Sequence, residues 1–279
     1  MRNSKTNELV LTGLFTAIII IMAFTPLGYI PLVVINATII HIPVILGSLF
    51  CGPKKGAFLG FVFGFTSCLK ATIVGGTLSS FVFSPVLAAS LVGTSGIFKS
   101  LFIAFVPRIL VGVIPYFVYI GIKKVLASEK KNLWGTVLNV LMSVFLAFGV
   151  YAFLGKMSES LSQAAALGIG IVVGAVVFIV VEAVFIRKST QVIPFVYAGV
   201  AGAMTNTLLV MGSIFVLYKD AYADAIGVAG NAVLGVITGV ISFNGVIEAI
   251  VAAIIVYLVG LVLNLSLIHI SEPTRRTPI

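Results

Sequence analysis

The chain has 279 residues, 60% of them hydrophobic and only 9% charged, with a mean hydropathy of +1.24. A soluble domain is nearer half apolar and a quarter charged, so this composition excludes one and implies a multi-pass membrane protein. The net charge of +9 fits basic residues gathered in short loops rather than a nucleic-acid footprint.

Runs such as 9–24 and 167–181 contain no charged residue. Strands of a membrane barrel would alternate apolar and polar residues, so spanning helices are the expected elements. The first covers about 8–24, after Arg2 and Lys5. It mimics a signal peptide, but no small-x-small cleavage site follows and Thr25-Pro26-Leu27-Gly28 ends it. The second helix is expected at about 37–50 and the third at about 56–71, with the turn Cys51-Gly52-Pro53-Lys54-Lys55 between them. Cys51 and Cys68 then fall at opposite ends of neighbouring helices, which argues against a disulfide. A segment punctuated by Gly, Ser and Pro occupies 72–100, and a fourth helix covers about 101–127.

Two further apolar runs, at about 133–154 and 163–186, meet at Gly155-Lys156-Met157-Ser158-Glu159. Glu182 lies one turn from Arg187 and Lys188 and is expected to pair with them. The next helix covers about 192–218. A glycine-rich piece at 225–243 is expected as a half-helix or re-entrant segment before a last helix at about 244–264. The expected fold is thus an all-α membrane bundle over 1–264 with about eight spans. The last fifteen residues, LSLIHISEPTRRTPI, read as the translation of a transposon-end sequencing adapter. They are expected to be foreign to the native chain, without helical continuation, and are set aside from fold reasoning. Setting 265–279 aside removes Glu272, Arg275 and Arg276, takes the net charge from +9 to +8, and leaves His41 as the only histidine.

With a cytoplasmic N-terminus, the inner loops hold Arg2, Lys5, Lys54, Lys55, Lys123, Lys124, Lys130, Lys131, Arg187 and Lys188. The outer side holds Lys70, Lys99, Arg108, Lys156 and Lys219. Ten against five favours that orientation.

The polar residues inside the spans gather at one depth. At 1.5 Å per residue, Arg108 lies roughly 24 Å from the inner face, His41 roughly 20 Å, Lys70 roughly 22 Å and Asn206 roughly 25 Å. Asn244 opens the last helix, and Glu248 is one turn inside. In a hydrocarbon core of roughly 30 Å these residues fall in or near its outer third. Each has an ordinary reading of its own. Lys70 can snorkel, His41 can sit in the core, Asn206 can bridge two helices, and Arg108 can pair with Glu248. Together they suggest a polar cavity open to the outside, where Arg108 can grip a carboxylate and Glu248 can accept from ligand hydroxyl or amide groups.

Gly56, Gly60 and Gly64 repeat every four residues, as do Gly13 and Ala17. Such spacing serves close helix packing within the bundle or, alternatively, docking of a separate membrane partner. Catalytic and metal motifs are missing from the sequence. Gly155-Lys156 lacks the glycine (Val150) and the Ser/Thr (Met157) of a phosphate-binding loop, and no H-E-x-x-H occurs. Neither an enzymatic constellation nor a cofactor is expected, so any ATP-driven step would fall to another chain.

Four blocks carry a family resemblance. HIPVILGSLFCGPKKGAFLGFVFGFTS (41–67), VPRILVG (106–112), GAMTNTLLVMG (202–212) and NGVIEAIVAAIIV (244–256) resemble core helices of the substrate-binding S components of energy-coupling factor (ECF) transporters. Within that family the sequence most resembles pantothenate-type and unassigned members. The resemblance implies a six-helix vitamin binder in a prokaryotic cell membrane. Such a protein captures its substrate from outside under loops one and three. It docks on a transmembrane coupling component carrying two cytoplasmic ATPases, and topples to release its load. The family's docking face on helix one maps to Gly13 and Ala17. The cavity residues are then Asn36, His41, Lys70, Arg108, Thr205, Asn206, Asn244 and Glu248. The core falls at about 8–127 and 190–264, and 132–187 is an added two-helix hairpin, expected to be padding. Two other readings stay open from the residues alone: an ion-coupled carrier of a small anionic solute, for which no inverted repeat is visible, and a structural membrane protein without a ligand.

Overall fold

The computed structural model describes residues 2–31, 36–75, 79–157, 161–187 and 193–271. Helices dominate because a bilayer offers the backbone no hydrogen-bond partners, and a helix satisfies its own. α1 (Arg2–Phe24) leads into a small hairpin, β1 (Tyr29–Pro31) with β2 (Asn36–Thr38), antiparallel with Tyr29 opposite Thr38. There follow α2 (His41–Cys51), α3 (Pro53–Ile73), α4 (Pro85–Val92), α5 (Thr94–Val111), α6 (Ile114–Leu126), α7 (Lys131–Met157), α8 (Gln163–Arg187), α9 (Ile193–Ile226), α10 (Val233–Val240) and α11 (Val246–Ser271).

Among the described residues seven helical segments are long and apolar enough to cross a membrane: Thr6–Phe24, Pro53–Ile73, Thr94–Leu126, Lys131–Gly155, Gln163–Ala183, Ile193–Ile226 and Val233–Leu263. The eighth apolar helix, α2, has only 11 residues. It rises about 16 Å, half the hydrocarbon thickness.

Several boundaries differ from those expected. The second helix begins at His41 rather than 37, because 36–38 pair as a strand. The segment 72–100 holds a 3-10 turn at Ser80–Val82, then α4 and the start of α5. Ser84 caps α4 by accepting from the Leu87 N–H at 3.3 Å, with Pro85 at the first helical position. Gly93 (φ 74°) separates α4 from α5 in a conformation that suits glycine. Among the described residues the glycine-rich piece at 225–243 is not a separate long span. It comprises the end of α9, a turn, and α10, which runs through a π-helical stretch, Ile241–Gly245, into α11. The expected break at 264 is not seen either, since the backbone is helical to Ser271. Glu159, Lys188, residues 272–279 and the side chain of Arg187 lie outside the described part.

The main core joins α1, α2, α3, α9 and α11 through Phe15, Ile19, Ile45, Leu59, Phe63, Phe195 and Ala252. The glycine stripe of α3 belongs to this interior. A Cβ on Gly56, Gly60 or Gly64 would run into the carbonyls of Gly112, Arg108 and Ala104 of the α5 region. The three contacts step down both helices together, so α3 and α5 approach backbone to backbone. Where α5 ends, Ser48 Oγ donates to the Gly112 carbonyl at 2.5 Å. Gly60→Ala would bring its methyl within 2.8 Å of the Arg108 carbonyl carbon, and overpacking of this kind costs about 1–3 kcal/mol. A lowered thermal midpoint in detergent is the expected result; an unchanged midpoint would show that the helices separate at little cost.

At one end of the bundle Lys55 pairs with Glu8 at 2.8 Å; at the other, Lys70 Nζ donates to the Ala23 carbonyl at 3.0 Å. The α7–α8 hairpin sits against α6 and the α10–α11 junction. Glu182 does not reach a described basic side chain. Its two oxygens accept from Thr136 Oγ1 and Asn139 Nδ2 of α7, each at 2.6 Å, so the carboxylate is satisfied inside the hairpin. Tyr197 of α9 donates to the Leu138 carbonyl and ties the hairpin to the core. Cys51 and Cys68 are free thiols.

Candidate functional site

A cavity of about 650 Å³ opens between β2, α3, α5, α9 and the α10–α11 junction. Its size falls within the usual range for small-molecule sites, about 300–1,000 Å³. Helical phase explains the lining. On α3 the wall residues are Phe63, Ser67, Lys70 and Ala71; on α9 they include Asn206, Thr207, Val210 and Met211. Both sets recur at three, four and one, the spacing of a single helix face. Val240, Asn244 and Glu248 line it from the last helix, and Arg108 from α5.

The basic side is built from Lys70 and Arg108. The Arg108 guanidinium lies over the rings of Phe83 (4.5 Å) and Phe63 (5.4 Å), and its Nη1 donates to the Ile103 carbonyl at 2.7 Å. Two aromatic faces and one carbonyl fix the plane of the fork. The acceptor side is built from Glu248, Asn206 and Asn244. Glu248 Oε1 accepts from the Thr38 N–H at 2.8 Å and Oε2 from Thr207 Oγ1 at 2.9 Å. The β-hairpin is thereby tied to the last helix across the cavity mouth. The Oδ1 atoms of Asn206 and Asn244 are buried with no hydrogen-bond partner among the described residues, and the two side chains are 8% and 6% exposed. A buried amide oxygen without a partner costs about 1–3 kcal/mol. Both belong to residues of the cavity wall, where a ligand donor could reach them.

The structure brings Lys70, Arg108, Asn206, Asn244 and Glu248 to one cavity and leaves two expected residues off its lining. Thr205 turns back along its own helix and donates to the Ala201 carbonyl at 2.6 Å. It is one residue, about 100°, out of phase with Asn206. His41 is fully buried at the start of α2, with no hydrogen-bond partner at either ring nitrogen among the described residues. Asn36 opens β2, but its side chain lies outside what the structure describes. Thr207, which flanks Asn206 in the sequence, joins the wall, and so do Thr38 and the aromatic pair Phe63 and Phe83, which no sequence pattern singles out. Counting four and five residues on from Asn206 would have found the α9 face. Thr38 carries no sequence signal, because its role depends on a strand pairing. Gly13 and Ala17 both lie on the exposed face of α1, and a Cβ on Gly13 would meet nothing within 4 Å.

Comparison with known proteins agrees with this architecture. The chain is 42% identical over 161 residues to the pantothenic acid transporter PanT of Lactococcus lactis subsp. cremoris, covering 53% of this chain and 78% of that protein. It is 37% identical over 119 residues to the pantothenate transporter PanT of Leuconostoc mesenteroides subsp. mesenteroides, covering 41% of this chain and 51% of that one. No solved structure matches. The family described as ECF transporter, substrate-specific component, matches residues 7–187, a span that includes α7 and α8. A match over more than half of the chain shows the family: this chain belongs to the substrate-specific components of ECF transporters.

Proposed function

We propose that this chain captures pantothenate from outside the cell and delivers it through a coupling component that carries two ATPases. The observation that carries the reading is the chemistry of the cavity wall: two cations, Lys70 and Arg108, with two buried acceptors, Asn206 Oδ1 and Asn244 Oδ1. Pantothenate offers one carboxylate to the cations, and one amide N–H and two hydroxyls to the acceptors. The relatives named pantothenate transporters support the same ligand. The N-terminus is assigned to the cytoplasm by the excess of basic residues at the end bearing Glu8 and Lys55, which puts the cavity at the opposite, outer end. ATP hydrolysis belongs to partner chains, and Gly13 and Ala17 form the docking face.

A ligand that binds only the folded protein raises its thermal midpoint as its concentration passes Kd. Purified in detergent, the full chain should be stabilised by pantothenate, and not by riboflavin, biotin or thiamine. Asn206→Ala should weaken the effect by about tenfold in concentration, corresponding to one lost hydrogen bond of about 1.4 kcal/mol. A folded sample that responds to another vitamin, or to none, would overturn pantothenate as the cargo.

A further inference from the structure

The α7–α8 hairpin contributes no residue to the cavity wall, yet it touches the stretch of backbone that shapes it. That stretch is the π-helical segment Ile241–Gly245. Val240, Asn244 and Glu248 are spaced four apart and all line the cavity. In an unbroken α-helix eight residues overshoot two full turns by about 80°, so the first and last of the three would diverge. One extra residue held in a π turn takes back about 100° and brings them to within about 20° of a single face.

A π turn has poorer geometry than an α turn and persists where neighbours hold it. Here they do so from two sides. From α7, the Phe153 ring stacks on Phe243, with centroids 4.9 Å apart and planes 7° from parallel. One turn earlier Gly149 lies against Val246, where a Cβ would come within 3.1 Å of the Val246 Cβ. From α9, Thr207 faces Gly245, where a Cβ would meet Thr207 Cγ2 at 3.1 Å, and the same threonine holds Glu248. Phe243, Asn244, Gly245 and Val246 are all buried in this clamp.

We propose that Phe153 and Gly149 are positioning residues for substrate binding: by pressing the π stretch against α9 they set Asn244 on the cavity face beside Glu248. The hairpin is then part of the binding apparatus rather than padding. This rests on the cavity being the pantothenate site.

The test is a double-mutant cycle on the full chain, with pantothenate affinity measured by calorimetry in detergent. Phe153→Ala is expected to raise Kd about tenfold, and Phe153→Tyr, which keeps the ring contact, to stay within about twofold of the parent. Val144→Ala, at an exposed position of the same helix, should change nothing. The deciding arm is the Asn244→Ala background. If Phe153 acts through Asn244, adding Phe153→Ala there costs no further affinity, whereas a general loss of structure would add its full effect. Phe153→Leu, which keeps apolar bulk without the parallel ring, serves the same cycle if the alanine variant does not fold. Unchanged affinity on loss of the ring, or additive losses in the cycle, would overturn the proposal. A parent chain that ignores pantothenate would instead overturn the functional reading.

Discussion

Arg108→Met is expected to weaken pantothenate binding by about 100-fold or more while leaving a folded protein. The side chain is 6% exposed and lines the cavity. Removing one partner of a buried charge pair costs about 2–5 kcal/mol, largely because the other charge is left unmatched. Methionine keeps apolar bulk between Phe63 and Phe83, so the aromatic packing should survive. Arg108→Lys should recover little. An ammonium cannot present a planar fork to a carboxylate, nor stack between two rings as a guanidinium does. Titration calorimetry with pantothenate, alongside thermal melts of each variant without ligand, separates loss of binding from loss of fold. If the methionine variant bound as tightly as the parent, the carboxylate would have to be held elsewhere, with Lys70 the remaining cation of the wall.

The second large effect concerns α1. Gly13→Leu combined with Ala17→Leu is expected to abolish uptake by cells while sparing pantothenate binding by the purified chain. The buried face of α1 is Thr12, Phe15, Ile19 and Ala23; Gly13 and Ala17 sit on the opposite, exposed side. A side chain at Gly13 meets nothing of its own chain within 4 Å. The fold therefore has no need of a small residue there, but a partner helix approaching closely does. Contrast Gly60, where the same small-residue spacing is used up inside the molecule against the backbone of α5. Radiolabelled uptake and binding by the purified protein are the two readouts. Loss of both would return Gly13 and Ala17 to a packing role, and retention of both would move the docking face elsewhere.

Much of this architecture is legible in the sequence, for one reason: lipid imposes rules that composition reveals. A helix crossing hydrocarbon must be long, apolar and internally hydrogen-bonded, so the apolar runs mark the helices to within a few residues. The same logic flags Lys70, Arg108, Asn206, Asn244 and Glu248, because polar groups at that depth are costly. Sequence alone also supplied the four family blocks. Tertiary structure decided what depends on angle and on contact. Choosing Thr207 over Thr205 as the wall residue turns on about 200° of helical phase, and both are threonines in one apolar run. Glu182 accepts from a threonine and an asparagine across the hairpin, a contact that only helix packing reveals. Gly13 and Gly60 have the same small-residue spacing, but a Cβ on Gly60 meets the backbone of α5 and one on Gly13 meets nothing of its own chain, a difference only the tertiary structure shows. The π stretch that aligns Val240, Asn244 and Glu248 has no composition of its own. Phe153 and Thr207, distant in sequence, close on it from two sides.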